Sequence, residues 1–383
     1  MALRDITAGI VGVGFIGVAH AEALRRIGVE VGGVVGSSPE RTARKAEEAG
    51  LPHRHQSVEE LLADPAIDVV HIASPNHLHV DQALAALEAG KHVVCEKPLG
   101  VTSAETEHVL SAAERSGRVH AVCLNVRFYP LCHQMRAMVA AGDIGTPRLV
   151  SGSYLQDWML LPTDWNWRID PAEGGALRAV ADIGSHWLDL AQFVTGRRVA
   201  EVFADLHTFL PVRQRPTGPV ETFQAAGDDD TVEERITTDD AATILLRFDD
   251  GGRGALTVSQ VSAGRKNAIS IEVDGADAAL SWFSENPDEV WIGHRGRPNE
   301  ILHRDGALLA PEVAGMLAVP AGHVEGFPDA FRNLFAAVYA DIERGGPAPQ
   351  PAYPTFADGH DITLVTEAVA ASAREQRWVS VPR

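Results

Sequence analysis

From residue 6 to about 126, short apolar runs alternate with longer amphipathic ones, the pattern of βαβ units on a parallel sheet. Strands are predicted over 6–13, 29–35, 68–74, 92–95 and 119–124. Helices are predicted over 18–28, 39–49, 58–63, 79–90 and 104–116, the second opening on Pro39 at a position where proline is tolerated. Beyond residue 128 the rhythm changes. After a helix over 131–142, extended runs cover 148–156, 199–210, 242–248, 254–261, 268–273 and 289–292. Turn-rich segments such as Asp249-Asp250-Gly251-Gly252 separate several of them, as antiparallel hairpins require. A helix-rich stretch over 174–195 interrupts the series, and helices over 328–344 and 356–375 close it. The pattern predicts an α/β Rossmann domain over 1–127, followed over 128–383 by an α+β domain with a large, mostly antiparallel open sheet.

Composition narrows the possible partners. The chain has 383 residues and a formal net charge of −19, which disfavours nucleic acid because phosphate binding relies on clustered Lys and Arg. No uncharged apolar stretch reaches the roughly 18–20 residues that span a bilayer, and the start of the chain lacks the pattern of a secretory signal. Three cysteines without a C-x-x-C pair argue against a disulfide framework and fit a reducing cytoplasm. A small molecule is the expected ligand. The acidity is concentrated: residues 221–240 hold eight carboxylates against Arg235, a net of −7, in what reads as a loop and the beginning of a strand.

Gly12-Val13-Gly14-Phe15-Ile16-Gly17 follows a predicted strand and opens a predicted helix. In that context G-x-G-x-x-G marks a dinucleotide site, where backbone N–H groups and the helix N-terminus hold a pyrophosphate. Gly12, Gly14, Phe15 and Ile16 are its expected residues. At the end of the second strand an NAD site normally offers a carboxylate; here the stretch is Gly36-Ser37-Ser38-Pro39-Glu40-Arg41. Ser37, Ser38 and Arg41 suit a 2′-phosphate, which tilts the balance to NADP without excluding NAD. The same residues also read as a cap for the next helix, with Ser38 as N-cap. Ser74, Asn76 and His77 follow a strand at the carboxyl edge of the sheet, where cofactors sit in such folds. His77-Leu78-His79 and His53-Arg54-His55 lack a carboxylate or thiolate partner, and no metal is expected.

Three further motifs occur in order: Glu96-Lys97-Pro98, Asn125-Val126-Arg127-Phe128-Tyr129-Pro130 and Asp182-Ile183-Gly184-Ser185-His186. Together with the glycine motif, they resemble the Gfo/Idh/MocA family of glucose-fructose oxidoreductase, inositol 2-dehydrogenase and related sugar dehydrogenases. The stretch from Gln156-Asp157-Trp158 through Trp165-Asn166-Trp167-Arg168 to Gly174-Gly175 is most similar to pyranose-oxidising members such as levoglucosan dehydrogenase. The resemblance assigns Lys97, Asp182 and His186 to the hydroxyl being oxidised. Its proton must leave as hydride departs from carbon, and histidine titrates in the right range to take it. His186 is therefore the expected base, Lys97 the group that stabilises developing alkoxide, and Asp182 the orienting carboxylate; the roles of Lys97 and His186 can be exchanged. The resemblance also implies a cis Lys97–Pro98 bond. It places Glu96, Arg127, Trp167 and Arg168 beside the cofactor, although Arg127 also reads as an ion-pair residue and Trp167 as core. Sugar hydroxyls call for planar polar partners and an aromatic face, for which Asn125, Gln156, Asp157, Trp165 and, less directly, His323 are candidates.

The expected activity is oxidation of a secondary hydroxyl of a sugar, sugar derivative or cyclitol with NAD(P). A redox-assisted glycoside hydrolase or lyase that retains NAD and a non-catalytic nucleotide sensor are the competing readings. A homodimer or homotetramer formed through the second-domain sheet is the expected assembly.

Overall fold

The computed structural model describes residues 3–53, 55–218 and 231–383, apart from the Arg4 side chain. The chain divides into two compact units. The first comprises Met1–Leu124 with two later segments, Ala172–Gly175 and Phe331–Thr363; the second comprises Asn125–Pro171, Ala176–Ala330 and Leu364–Arg383.

In the first unit, β1 (Thr7–Val11), β2 (Glu30–Val35), β3 (Val69–Ile72), β4 (His92–Cys95) and β5 (His120–Val122) form a parallel sheet in the order β2-β1-β3-β4-β5. The strands are near-continuous apolar runs because helices cover both faces of such a sheet. All four residues of β3, Val69, Val70, His71 and Ile72, are buried. The crossovers carry α1 (Phe15–Arg26), α2 (Pro39–Glu48), α3 (Val58–Ala63), α4 (His79–Glu88) and α5 (Ser103–Ser116). Local chemistry fixes where several begin. Ser38 caps α2 by accepting the Arg41 N–H at 3.2 Å, and Thr102 with Glu105 forms a capping box on α5.

After β5, in chain order, α6 (Pro130–Ala141) precedes β6 (Leu149–Leu155). The short α7 (Pro171–Gly174) and a π-helical turn over Val180–Gly184 lead into α8 (Ser185–Thr195). Next come β7 (Val199–His207), β8 (Val212–Pro216), β9 (Thr231–Arg235), β10 (Ala241–Phe248), β11 (Arg253–Ser259), β12 (Ala268–Asp274), β13 (Ala278–Phe283), β14 (Glu289–His294) and β15 (Glu300–His303). The chain closes with α9 (Pro311–Ala314), α10 (Phe327–Arg344), α11 (Phe356–Glu375) and β16 (Val379–Ser380). The nine-stranded sheet runs β15-β14-β13-β12-β6-β11-β10-β7-β16, with β8 and β9 paired separately. Its pairs are antiparallel except β11 with β6. Alternation sets its two faces: β10 buries Ala242, Ile244, Leu246 and Phe248 and exposes Thr243 and Leu245. Buried Trp187 of α8 packs on the inner face and donates its indole N–H to the Ser270 carbonyl at 2.8 Å.

The expected fold class is borne out. Strands β8, β9, β13, β15 and β16 are additional to the predicted runs. Ala278 and Ala279 weaken the local strand signal of β13, whose buried Leu280 and Trp282 gain their place from neighbours β12 and β14. No described helix is long and apolar enough to cross a membrane.

Candidate functional site: a glycine cradle and a clamped aspartate

The cradle lies in the first unit, where β1 turns into α1. Gly12 has φ +113°, and a Cβ there would lie 2.3 Å from the Ala73 carbonyl oxygen, so only glycine fits between adjacent strands. A Cβ on Gly17 would lie 1.9 Å from the Gly12 carbonyl oxygen, which lets α1 start tight against the turn. Gly14 is different: it is extended, no side chain caps α1 there, and its Cβ would meet nothing within 4 Å. An open glycine at a bare helix N-terminus fits a dinucleotide pyrophosphate. Phe15 is exposed beside it and Ile16 half-buried.

The turn after β2 carries no carboxylate. Ser37 is exposed and Arg41 half-buried, while the Ser38 hydroxyl is occupied by capping α2. After β3, the Ser74 hydroxyl donates to Gln82 Oε1 at 2.6 Å. Asn76 Nδ2 donates to the Gly174 carbonyl at 3.1 Å, and His77 Nδ1 lies 3.4 Å from the Glu173 carbonyl. After β4, Glu96 is buried and its Oε2 accepts the Lys97 backbone N–H at 3.1 Å. Lys97 is half-buried, and the Lys97–Pro98 bond is cis.

In the second unit, Asp182 sits in the π-helical turn and His186 in the first turn of α8. Such turns insert an extra residue into a helix and recur at functional sites. The Asp182 carboxylate is held on both oxygens: Oδ1 accepts Arg168 Nε at 3.1 Å and Oδ2 accepts Gln260 Nε2 at 2.9 Å. Arg168 in turn lies 4.3 Å from the centre of the Trp167 ring. His186 is buried, its ring 6.4 Å from that of Tyr154. Burial raises the Tyr154 phenol, and the Asp182 charge adds to the effect, so the hydroxyl stays protonated. Gln260 carries no motif in the sequence; only its placement after β11 brings it to Asp182.

The remaining candidates fall into separate groups. Gln156 Nε2 donates to Asn267 Oδ1 at 2.8 Å, which also accepts the Tyr154 hydroxyl at 2.7 Å, while Gln156 Oε1 accepts the Trp158 indole at 2.5 Å. Asp157 accepts Lys266 Nζ at 2.8 Å and the Gly264 N–H at 3.0 Å; the Lys266 bond is the main cause that lowers its carboxyl below the usual range. Trp165 packs with Trp158 against Met159, Ile169 and Ile236. Asn125 is buried and its Nδ2 lacks a partner among the described residues. Arg127 pairs through both Nε and Nη2 with the Asp189 carboxylate, Nε at 2.8 Å, and stacks 4.9 Å from the Phe193 ring centre. His323 is exposed, on a loop whose carbonyl at that residue accepts from Arg304.

Two members of the acidic run lie in the interior. Glu221, Asp228, Asp229 and Asp230 lie outside the described residues, but Asp239 and Asp240 are buried rather than solvated. Asp239 accepts the backbone N–H groups of Arg178 at 2.6 Å and Val180 at 2.9 Å, which anchors the start of the π-helical turn. Burial alone raises the Asp239 carboxyl against these bonds. Asp240 Oδ1 accepts Nη2 of both Arg178 and Arg213, the latter at 2.8 Å, and its Oδ2 accepts the Leu210 N–H at 2.8 Å. Burial raises the Asp240 carboxyl, but Arg178 leads the opposing effects that leave it lowered. Arg213 also donates to the carbonyls of Met159 and Leu161, which ties the Trp158–Trp165 loop to the same cluster.

Comparison with known proteins agrees with this architecture. The description "Oxidoreductase family, NAD-binding Rossmann fold" matches residues 6–124, and "GFO/IDH/MocA C-terminal domain" matches residues 132–281. Levoglucosan dehydrogenase of Pseudarthrobacter phenanthrenivorans is 30% identical over 100% of this chain and 99% of its own. A structure of levoglucosan dehydrogenase in complex with NADH and L-sorbose superposes with a TM-score of 0.87 at 29% identity, covering 99% of both chains. An inositol dehydrogenase homologue complexed with NAD+ from Azotobacter vinelandii gives 0.84 at 26% identity, covering 98% of this chain and 97% of its own. The chain belongs to the GFO/IDH/MocA oxidoreductase family.

Proposed function

We propose that the protein is an NAD(P)-dependent dehydrogenase that oxidises one secondary hydroxyl of a sugar, sugar derivative or cyclitol to a ketone. The observation that carries this reading is the open cradle at Gly14. The sugar dehydrogenases among its relatives supply the substrate class, and the levoglucosan enzyme makes a pyranose the first choice. The first domain, over 1–127, is assigned the cofactor, and the second, over 128–383, the substrate. When bound, the dinucleotide supplies a hydride acceptor.

The protein's own groups handle the proton. His186 takes it from the hydroxyl, Lys97 hydrogen-bonds the same oxygen as negative charge develops, and Asp182 orients the substrate. The clamp of Arg168 and Gln260 on Asp182 suits an orienting carboxylate, because neither oxygen can swing away without losing a bond. Asn125, Gln156, Asp157, Trp165 and His323 are assigned to the other hydroxyls and the sugar face. Gly12, Phe15, Ile16, Ser74, Asn76, His77, Glu96, Arg127, Trp167 and Arg168 are assigned to the cofactor. The absence of a carboxylate after β2 favours NADP, with Ser37, Ser38 and Arg41 assigned to its 2′-phosphate; the Ser38 cap bond weighs against that share of the assignment. The exposed face of the large sheet, which presents Leu245, Leu149 and Ile301, is assigned to a homodimer or homotetramer contact, and the cytoplasm is the assigned compartment.

The test is a panel of pyranoses and inositols with NAD and NADP, read as reduced cofactor formed. A dehydrogenase releases it stoichiometrically, whereas a retained-cofactor hydrolase or lyase shows no net gain. Lys97→Ala should abolish turnover and keep cofactor binding; unchanged behaviour would support a sensor. Failure of every polyol with both cofactors overturns the reading.

A further inference from the structure

Beneath the Glu96-Lys97 turn, four buried side chains of the first unit form one line. Tyr339 Oη lies 2.9 Å from His71 Nε2, His71 Nδ1 lies 3.1 Å from His20 Nδ1, and His20 Nε2 lies 3.1 Å from Glu96 Oε1. The other Glu96 oxygen accepts the Lys97 backbone N–H. Phe335 packs against the rings of His20 and His71 at 4.9 and 4.7 Å between centroids, and Phe331 packs against His20 at 5.2 Å. Water has little access to such a line, so its protons must satisfy one another.

Cys123 Sγ lies 3.8 Å from His20 Nε2 as a weak fifth neighbour; among the four groups of the line itself, one arrangement of protons uses every one. An ionised Glu96 requires His20 to donate from Nε2. A neutral His20 then has a bare Nδ1, which accepts the His71 Nδ1–H. His71 is left with a bare Nε2, which accepts the Tyr339 hydroxyl proton. Reversing the direction needs a protonated Glu96 and leaves the Tyr339 proton without an acceptor among the described residues. Charging His71 is opposed by its surroundings: burial, with His20 as the secondary cause, holds it well below the ordinary histidine range.

We propose that His20, His71 and Tyr339 are positioning residues for Lys97: their hydrogen bonds run in one direction from the Tyr339 hydroxyl to the Glu96 carboxylate, which holds the Lys97 backbone. This rests on the assignment of Lys97 to the reacting hydroxyl. The line needs its two histidines in opposite tautomers, a requirement that simple packing of two buried rings would not impose.

Long-range 1H–15N spectra of the histidine side chains in the whole protein at neutral pH test the direction, with His20→Gln and His71→Gln supplying the assignments. The expected result is neutral His20 with its proton on Nε2 and neutral His71 with its proton on Nδ1. Either opposite tautomer, or a charged ring, overturns the proposal. This measurement needs no substrate, so it stands or fails apart from the dehydrogenase reading. Kinetics test the consequence. His20→Leu removes a bond to a charged group and should lower kcat about 10- to 100-fold. His20→Gln keeps a donor toward Glu96 and should recover much of that loss. Equal impairment of the two variants, or no loss in either, overturns the proposal. If His20→Leu does not fold, Tyr339→Phe, which removes only the hydroxyl, carries the kinetic test, and an unchanged kcat in that variant counts against the proposal.

Discussion

Replacing Asp240 by asparagine removes one charge from a cluster that balances to zero: two arginines, Arg178 and Arg213, against two aspartates, Asp239 and Asp240. Arg178, Arg213 and Asp240 have side chains with no exposure at all, so water cannot take over the missing charge. Asparagine is nearly the same size but has one acceptor oxygen where the carboxylate has two. If that oxygen serves the guanidinium groups, the new NH2 faces the Leu210 N–H, donor against donor. Breaking a buried pair in this way costs about 3–5 kcal/mol. Glu201→Gln is the matched control, because the Glu201–Arg247 pair is more than a third exposed and should cost about 0–1 kcal/mol. Urea unfolding followed by tryptophan fluorescence measures both. All seven tryptophans lie in the second unit, so the signal reports the unit that holds the cluster. A cost for Asp240→Asn no larger than that of Glu201→Gln would refute the argument that the four groups form one desolvated unit.

Other perturbations address the two candidate half-sites and the response to acid. Gly14→Val should weaken cofactor binding at least about 100-fold with little change in melting temperature, because a Cβ there meets no protein atom within 4 Å and the branched side chain projects from the open cradle; calorimetric titration with NADH and NADPH measures it, and retained affinity removes Gly14 from the site. Gln260→Leu takes a bond from the Asp182 carboxylate and should lower kcat about 10- to 100-fold with the cofactor Kd unchanged, and wild-type turnover would show that the clamp is dispensable. Burial lowers His92 and His120 to about 4 and His133 to about 3, so the folded rings stay neutral where unfolded ones, near 6.5, take up protons. The unfolded state thus binds more protons across that interval. Stability is full above pH 6.5 and falls as the pH drops toward these values, by up to about 1.4 kcal/mol per pH unit for each of His120 and His133 and by less for the more exposed, solvent-screened His92. Thermal melts from pH 8 to pH 4.5 check this, and a flat profile between 7 and 5 contradicts it.

The cradle was legible because its physics is local. Gly12, Gly14 and Gly17 are spaced by the turn they build, and strand and helix follow within a few residues. The clamp on Asp182 was half legible. Asp182 and Arg168 stood in motifs, whereas Gln260 comes from a strand end 78 positions away and nothing around it announces its role. The burial of Asp239 and Asp240 is hidden for the same reason. In sequence they extend an acidic run, and only a fold that brings Arg178 and Arg213 to them turns surface charge into core. His20 resembles any other histidine on an amphipathic helix until Tyr339, far along the chain, completes its line.

The late segment that carries Tyr339, Phe331 and Phe335 also bears on how the molecule can be made and divided. A ribosome that has finished β5 has produced all five strands of the parallel sheet, yet the aromatic side chains that pack His20 and His71 have still to be synthesised, after the entire nine-stranded sheet but its last edge strand. The nascent cofactor half must wait, with part of its interior bare, until α10 has been made. A gene cut after codon 127 to obtain a portable nucleotide-binding module would encode a fragment lacking part of its own core, and a usable excision would have to graft residues 331–363 back on.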